Sequence, residues 1–345
     1  MKIKEIDKNP KVESFEGKQL KFLNARDPIF GLYGVFFKDD SYRRIKKTIN
    51  ISKAVSELSN NTSGGRIRFK TNSRYICIKC KMPSISLPNM ADVGSTGFDM
   101  NVEEKTSYTK IFQMPNNYNT CGYECLVDLV NNNDKYITIN FPLYNTVNDL
   151  MIGVEESARV NKGKEYRYKE PIVFYGSSIT QGMAASRPSS CYTNMISDRM
   201  NLDILNLGFS GSCKGEKEMA KYIAELEMKC FVFDYDHNAL NSDVLRNTHK
   251  TFYEIIRQSH KLLPIIIMSK PDFFGSEEDI KRREAIKETY DFATNNGDKN
   301  VYFIDGEEFY TKYDRECCSV DRLHPNDLGM YAMYEVLRKK LEDIL

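Results

Sequence analysis

Ile172-Val173-Phe174-Tyr175-Gly176-Ser177-Ser178-Ile179-Thr180 is the stretch that decides the fold. Four apolar residues run without alternation, then glycine and two serines stop them. A short continuous apolar run reads as a strand buried on both faces, and serines before Ile179 read as a helix start. The same grammar recurs downstream in Asp203-Ile204-Leu205-Asn206-Leu207, Cys230-Phe231-Val232-Phe233, Leu263-Pro264-Ile265-Ile266-Ile267-Met268 and Val301-Tyr302-Phe303-Ile304. Helical patterns fill the intervals: Cys191 to Met200, Glu216 to Met228, Ser242 to Leu262 and Ser276 to Asn295. A last amphipathic helix spans Asn326 to Ile344. Five buried strands alternating with helices predict an α/β unit in three layers, with a five-stranded parallel sheet at its centre.

Upstream the pattern is different. Gly65 to Thr71 and Arg74 to Met82 read as successive strands around a Thr71-Asn72-Ser73 turn, and Gly97 to Val102 and Tyr136 to Phe141 add two more. Short strands with frequent turns predict an all-β antiparallel sandwich. A short helix is expected over Ile49 to Leu58. The polar run Val160 to Glu170 reads as a linker, so the expected domains are residues 1–165 and 166–345.

The 345 residues carry 49 Lys+Arg against 48 Asp+Glu, a balance of +1 that gives no general field for nucleic acid or anionic membranes. The basic clusters Tyr42-Arg43-Arg44-Ile45-Lys46-Lys47 and Lys281-Arg282-Arg283 read as solvated faces. No apolar run approaches the roughly 20 residues of a membrane span. Met1-Lys2-Ile3-Lys4-Glu5-Ile6-Asp7-Lys8 has no apolar segment of a secretory signal, so a cytoplasmic location is expected. Nine cysteines are compatible with reduced, buried thiols. Cys77 and Cys80 point to opposite faces of a strand, which argues against a zinc site with Cys121 and Cys125.

In a parallel α/β sheet, ligands bind beyond the carboxyl ends of the strands. The loops there hold Ser178, Gly208-Phe209-Ser210-Gly211-Ser212 and Asp234-Tyr235-Asp236-His237-Asn238, and Asp321-Arg322-Leu323-His324-Pro325 precedes the last helix. A serine hydroxyl needs a base, and an imidazole base needs a partner on its second nitrogen. Ser178, His324 and Asp321 supply that series. Candidate oxyanion donors are the Ser178 and Gly211 N–H groups and the Asn238 amide. This constellation predicts acyl transfer from an ester to serine and then to water, with no metal and no cofactor.

These residues also carry a resemblance. Gly176-Ser177-Ser178-Ile179-Thr180 resembles the GDSI(T) box of the SGNH, or GDSL-type, hydrolases. Asn206 to Gly211 resembles their second box, Asp234 to Asn238 stands where the family has G-x-N-D, and Asp321-Arg322-Leu323-His324-Pro325 resembles D-x-x-H-P. Ser178-Ile179-Thr180-Gln181-Gly182-Met183-Ala184-Ala185-Ser186-Arg187-Pro188 is similar to a run in a two-domain branch whose N-terminal β-sandwich carries a G-x-D-L-Y motif. Gly97-Phe98-Asp99-Met100-Asn101 is similar to that motif. The resemblance implies a flavodoxin-like hydrolase domain behind a jelly-roll-like sandwich. It also implies a serine esterase acting on short-chain, often acetyl, esters of carbohydrate. Ser177 replaces the usual Asp, the third box lacks its first glycine and has Ala239 after Asn238, and Met100-Asn101 replaces Leu-Tyr.

Other readings stand beside these. Ser210 begins a G-x-S-x-G-like pattern that ends in Ser212 and is the alternative nucleophile. His237 is the rival base, and His249 and His260 read as solvent-facing positions on a helix. Arg187, Asp99 and Asp234 are candidate substrate contacts, although Asp99 reads better as an interdomain or turn residue. The expected partner is a small-molecule or oligosaccharide ester. Lipid or thioester hydrolysis, or silent ligand binding, are the alternatives.

Overall fold

The computed structural model describes residues 11–46, 51–115, 121–271 and 275–345. The N-terminal segment read above for a signal, and the start of the helix expected at Ile49, lie outside them. In chain order the first strands are β1 (Lys11–Phe15), β2 (Lys18–Asn24), β3 (Gly31–Tyr33), β4 (Phe36–Lys38) and β5 (Ser41–Arg43). After α1 (Lys53–Leu58) come β6 (Arg66–Thr71) and β7 (Tyr75–Lys81). After α2 (Asp92–Ser95) come β8 (Asp99–Glu103), β9 (Tyr108–Ile111), β10 (Gly122–Asp128), β11 (Lys135–Asn140), β12 (Asp149–Glu155) and β13 (Val160–Lys162).

Apart from β4 and β5, which pair only with each other, these strands form two antiparallel sheets, β1-β2-β12-β7-β10 and β13-β6-β11-β8-β9, with β3 added to β6. Period-two alternation explains their contact. Ile76, Ile78 and Cys80 of β7 meet Ile67 and Phe69 of β6 and Ile137 and Ile139 of β11 in one buried cluster. Cys77 points the other way, toward Leu20 and Phe22. Although β6 and β7 are consecutive, they do not pair. The Thr71-Asn72-Ser73 turn carries the chain from one sheet to the other. The expected linker is also shorter than read, because Val160–Lys162 pairs with β6 as an edge strand.

The parallel sheet follows: β14 (Ile172–Gly176), β15 (Ile204–Gly208), β16 (Cys230–Asp234), β17 (Ile265–Met268) and β18 (Val301–Ile304), in the order β15-β14-β16-β17-β18. This is the flavodoxin-like order, with the topological switch beside β14. Every residue of β14, β15 and β16 is buried, as continuous apolar strands require. The covering helices are α3 (Ser178–Gln181), α4 (Tyr192–Met200), α5 (Lys217–Ala224), α6 (Ser242–Ser259), α7 (Glu277–Asn295) and α8 (Asp327–Ile344). Separate apolar clusters lie on the two faces, one around Phe174, Ile196 and Met333 and the other around Tyr175, Phe233 and Phe252. Among the described residues no helix is long and apolar enough to cross a membrane.

Candidate active site

The end of β14 turns directly into α3, and Ser177 caps it by accepting a hydrogen bond from Ile179 N–H at 3.2 Å. Ser178 therefore occupies the first helical position, where its own N–H has no helical acceptor. Its Oγ lies 3.0 Å from His324 Nε2. His324 Nδ1 lies 2.7 Å from Asp321 Oδ2. The other carboxylate oxygen accepts from His324 N–H at 2.8 Å and Leu323 N–H at 3.1 Å. Burial alone would raise the Asp321 pKa, but these donors and the imidazole outweigh it and hold the group at about 2. Asp321 is thus ionised across the neutral range, and its ring contact fixes which His324 nitrogen faces Ser178.

The second and third loops complete the rim. In the register of the sheet, Gly176 lies opposite Gly208 on one side and Asp234 on the other. Phe209 N–H donates to Gly176 O at 2.8 Å and Ser210 N–H to Gln181 Oε1 at 3.0 Å. Gly211 follows in the left-handed region at φ +66°, a conformation glycine adopts freely. Among the described residues no protein acceptor takes the N–H of Ser178 or Gly211, and the Asn238 amide group makes no hydrogen bond. The third loop is a tight turn in which Ala239 N–H donates to Asp236 O at 3.1 Å. Arg282 holds it from α7 by donating to Asp236 O and Ala239 O, and Lys270 N–H donates to Asp236 Oδ2.

Several expectations need correction. Asp99 is wholly buried and stands as the joining residue the sequence favoured, not as a substrate contact, and the Asp234 carboxylate, 4% exposed, is taken up by side chains within the fold. Asp234 Oδ2 accepts from the Thr180 and Tyr192 hydroxyls at 2.7 and 3.1 Å, and burial pushes its pKa up to about 7. Asp99 accepts from Asn140 Nδ2 and Ser189 N–H, both at 2.8 Å, and so ties β8 to the turn after Arg187. Arg187 itself keeps 39% of its side chain exposed and donates to Ser189 Oγ. His249 is wholly buried, stacked on Phe233 at 4.2 Å and paired with Thr289 Oγ1 at 2.9 Å. His260 is half-buried beside Ala224 O. The basic clusters are not simply solvated faces either. Arg44 is buried, and Arg282 is the third-loop anchor just described.

The rival residues lack partners for chemistry. Neither ring nitrogen of His237 has a hydrogen bond, and burial, then the charges of Lys270, His324 and Arg282, press its pKa down to about 3. Ser210 is held through its N–H by Gln181 Oε1, and among the described residues its hydroxyl has no hydrogen bond to a histidine. No group of three or more His, Cys, Asp or Glu side chains among the described residues is arranged to hold a metal ion.

Two contributors have no signal in the four boxes. Tyr144 of the sandwich donates to Ser178 O at 3.0 Å. Asn89, also of the sandwich, donates to Asp321 Oδ2 at 3.4 Å.

Comparison with known proteins fits this arrangement. Residues 169–342 match the family described as GDSL-like lipase/acylhydrolase. The chain belongs to that family. Residues 20–160 match the GxDLY family, the N-terminal region of SGNH-hydrolase-type esterases. This GDSL-like acylhydrolase is therefore an ester-hydrolysing enzyme with the two-part organisation of that branch. A protein from Bacteroides ovatus described as a GDSL-like lipase is similar to it at 28% identity and a TM-score of 0.82, over 94% of this chain and 98% of that one. The salicylyl-acyltransferase SsfX3 of a tetracycline biosynthetic pathway aligns at 19% identity and 0.75, over 94% and 97%. A family two carbohydrate esterase from Cellvibrio japonicus aligns at 11% and 0.62, over 94% and 98%. No curated protein matches the chain in sequence. The GDSL-like family's usual Asp before the serine is Ser177 here, and its hydroxyl performs a capping role that Asp would also serve.

Proposed function

We propose that the enzyme hydrolyses short-chain acyl esters, acetyl in the first instance, on a carbohydrate alcohol. The observation that carries this reading is the unbroken series Ser178 Oγ, His324 Nε2, His324 Nδ1 and Asp321 Oδ2, with contacts of 3.0 and 2.7 Å. Ser178 Oγ attacks the acyl carbonyl carbon as its proton passes to His324 Nε2. The carbonyl oxygen takes the electron pair and is held by Ser178 N–H, Gly211 N–H and Asn238 Nδ2. Collapse expels the alcohol oxygen, which takes the proton from His324. Water then attacks the acyl-serine by the same route, and the carboxylic acid leaves. Asp321 remains ionised throughout and stabilises the imidazolium.

The carbohydrate part of the reading draws on the shared fold of family two carbohydrate esterases, one of which, from Clostridium thermocellum, was crystallised with cellohexaose. The likeness to an acyltransferase supports a second reading, in which a second alcohol replaces water at the acyl-serine. A fluorophosphonate probe should label the wild type once and leave Ser178→Ala unlabelled. Hydrolysis of an acetyl ester by Ser178→Ala at the wild-type rate would refute the mechanism. Acetylated oligosaccharides, longer acyl esters and thioesters assayed side by side test the substrate class, and added alcohol acceptors test transfer.

A further inference from the structure

β15 is an edge strand, so its outward carbonyls have no neighbouring strand to satisfy them. The sandwich supplies donors in place of a strand. Arg66 donates to Ile204 O, and Arg44 Nη1 donates to Asn206 O at 3.1 Å and Gly208 O at 2.5 Å. These are alternate residues, which present their carbonyls on one side of a strand. The remaining Arg44 donors hold its own domain: Nε reaches Asn61 O at 2.8 Å and Nη2 reaches Leu58 O at 2.7 Å. The guanidinium also lies 5.0 Å from the ring centroid of Phe209. The approach is close enough that a Cβ on Gly64, itself at φ +77°, would stand 2.8 Å from Asn206 Cβ.

Arg44 is fully buried and, among the described residues, forms no ion pair. Its partners on the hydrolase side are carbonyls, and burial draws its pKa down to about 9. A buried charge without a carboxylate is an expensive way to join two domains. Its place gives it another use. The two carbonyls it grips are the last on β15 before the chain turns through Phe209 and Ser210 to Gly211.

We infer that Arg44 is a positioning residue of the hydrolase, aiming the Gly211 N–H at the reacting carbonyl from within the sandwich domain. The inference rests on the reading of Gly211 as an oxyanion donor given above. The sandwich is then part of the catalytic apparatus and not a detachable sugar-binding module. A guanidinium is needed because only its planar fork spans two carbonyls on one strand and two more at the end of α1 and in the turn after it.

The test uses the full chain with Arg44→Gln, Arg44→Lys and, as a control at the far end of the same edge, Arg66→Gln. Losing an oxyanion donor costs about 10²–10³ in kcat, so a mis-aimed donor should cost about 10–100-fold, with KM changed less than about twofold. A trifluoromethyl ketone that forms a tetrahedral adduct with Ser178 should weaken by the same factor as kcat. Arg66→Gln should lower Tm and leave both kcat and the inhibitor constant near wild type. If Arg44→Gln fails to fold, Arg44→Lys carries the test and should show a smaller loss in both quantities.

A folded Arg44 variant with wild-type kcat and inhibitor affinity overturns the inference. So does a fall in kcat with inhibitor affinity unchanged, or an equal fall in Arg66→Gln. Failure of the underlying reading looks different: if Ser178 is not the nucleophile the ketone would not inhibit the wild type at all, and if Gly211 is no oxyanion donor a Gly211→Pro variant, which has no N–H to offer, would keep wild-type kcat.

Discussion

Replacing Asp234 with asparagine removes a titratable proton from beneath α3 while keeping an acceptor for the Thr180 and Tyr192 hydroxyls. Burial raises this carboxyl from its ordinary 3.8 to about 7. The two hydroxyls relieve part of that shift, and Asp236 adds to it. Between those values the folded protein holds a proton that the unfolded chain has released. Stability from this group is therefore greatest in acid and falls as pH rises through the window. Three units at about 1.4 kcal/mol each set a ceiling of about 4 kcal/mol on the loss, and no pH interval can be steeper than about 1.4 kcal/mol per unit. Asparagine stays neutral at every pH. Urea unfolding of both proteins between about pH 4 and pH 8 isolates the effect, because the other buried acids cancel in the difference. Wild-type stability relative to Asp234→Asn should fall steadily and level off above pH 7. A flat difference, or one that rises with pH, would show that the hydroxyl donors outweigh burial and that the carboxylate is ionised in the folded enzyme.

Three further predictions concern single side chains. Asp321→Asn should lower kcat by about 10⁴ with KM little changed, read in steady-state ester hydrolysis, because an amide no longer selects the reactive tautomer of His324. Asn238→Ala should lower kcat by about 10²–10³, and full activity would remove that residue from the site. His249 is held neutral by burial, which draws its pKa to about 3, so the unfolded chain takes up a proton first as pH falls below 6.5. His249→Phe should therefore lose less stability than the wild type on acidification, measured by thermal melts across that range.

The parallel sheet was legible because each strand is a short apolar run closed by glycine, proline or a polar turn. The chemistry was legible because that architecture sends every candidate residue to one rim. His249 was misread although the signal was present. It stands in helical register with Leu245, Phe252 and Ile256, all buried on the stripe of α6 that faces the core. Arg44 was misread for a different reason. A cluster of basic residues shows charge, but the two sheet carbonyls that receive Arg44 Nη1 lie more than 160 residues away. The sandwich strands could be found locally while their partners could not. The turn after Thr71 looks like a hairpin and is a crossing between sheets. Asn89 and Tyr144 reach the site by the same kind of long-range packing, with no local pattern to announce them.

The uncovered side of β15 has a consequence for anyone who shortens this protein. Expressed without the sandwich, the hydrolase half would present the carbonyls of Ile204, Asn206 and Gly208 to solvent on an apolar strand. Such a border invites a second copy to dock alongside, and growth by strand addition ends in precipitate. Any single-domain version of this catalytic sheet must close that border with a charge, a proline or a covering helix of its own.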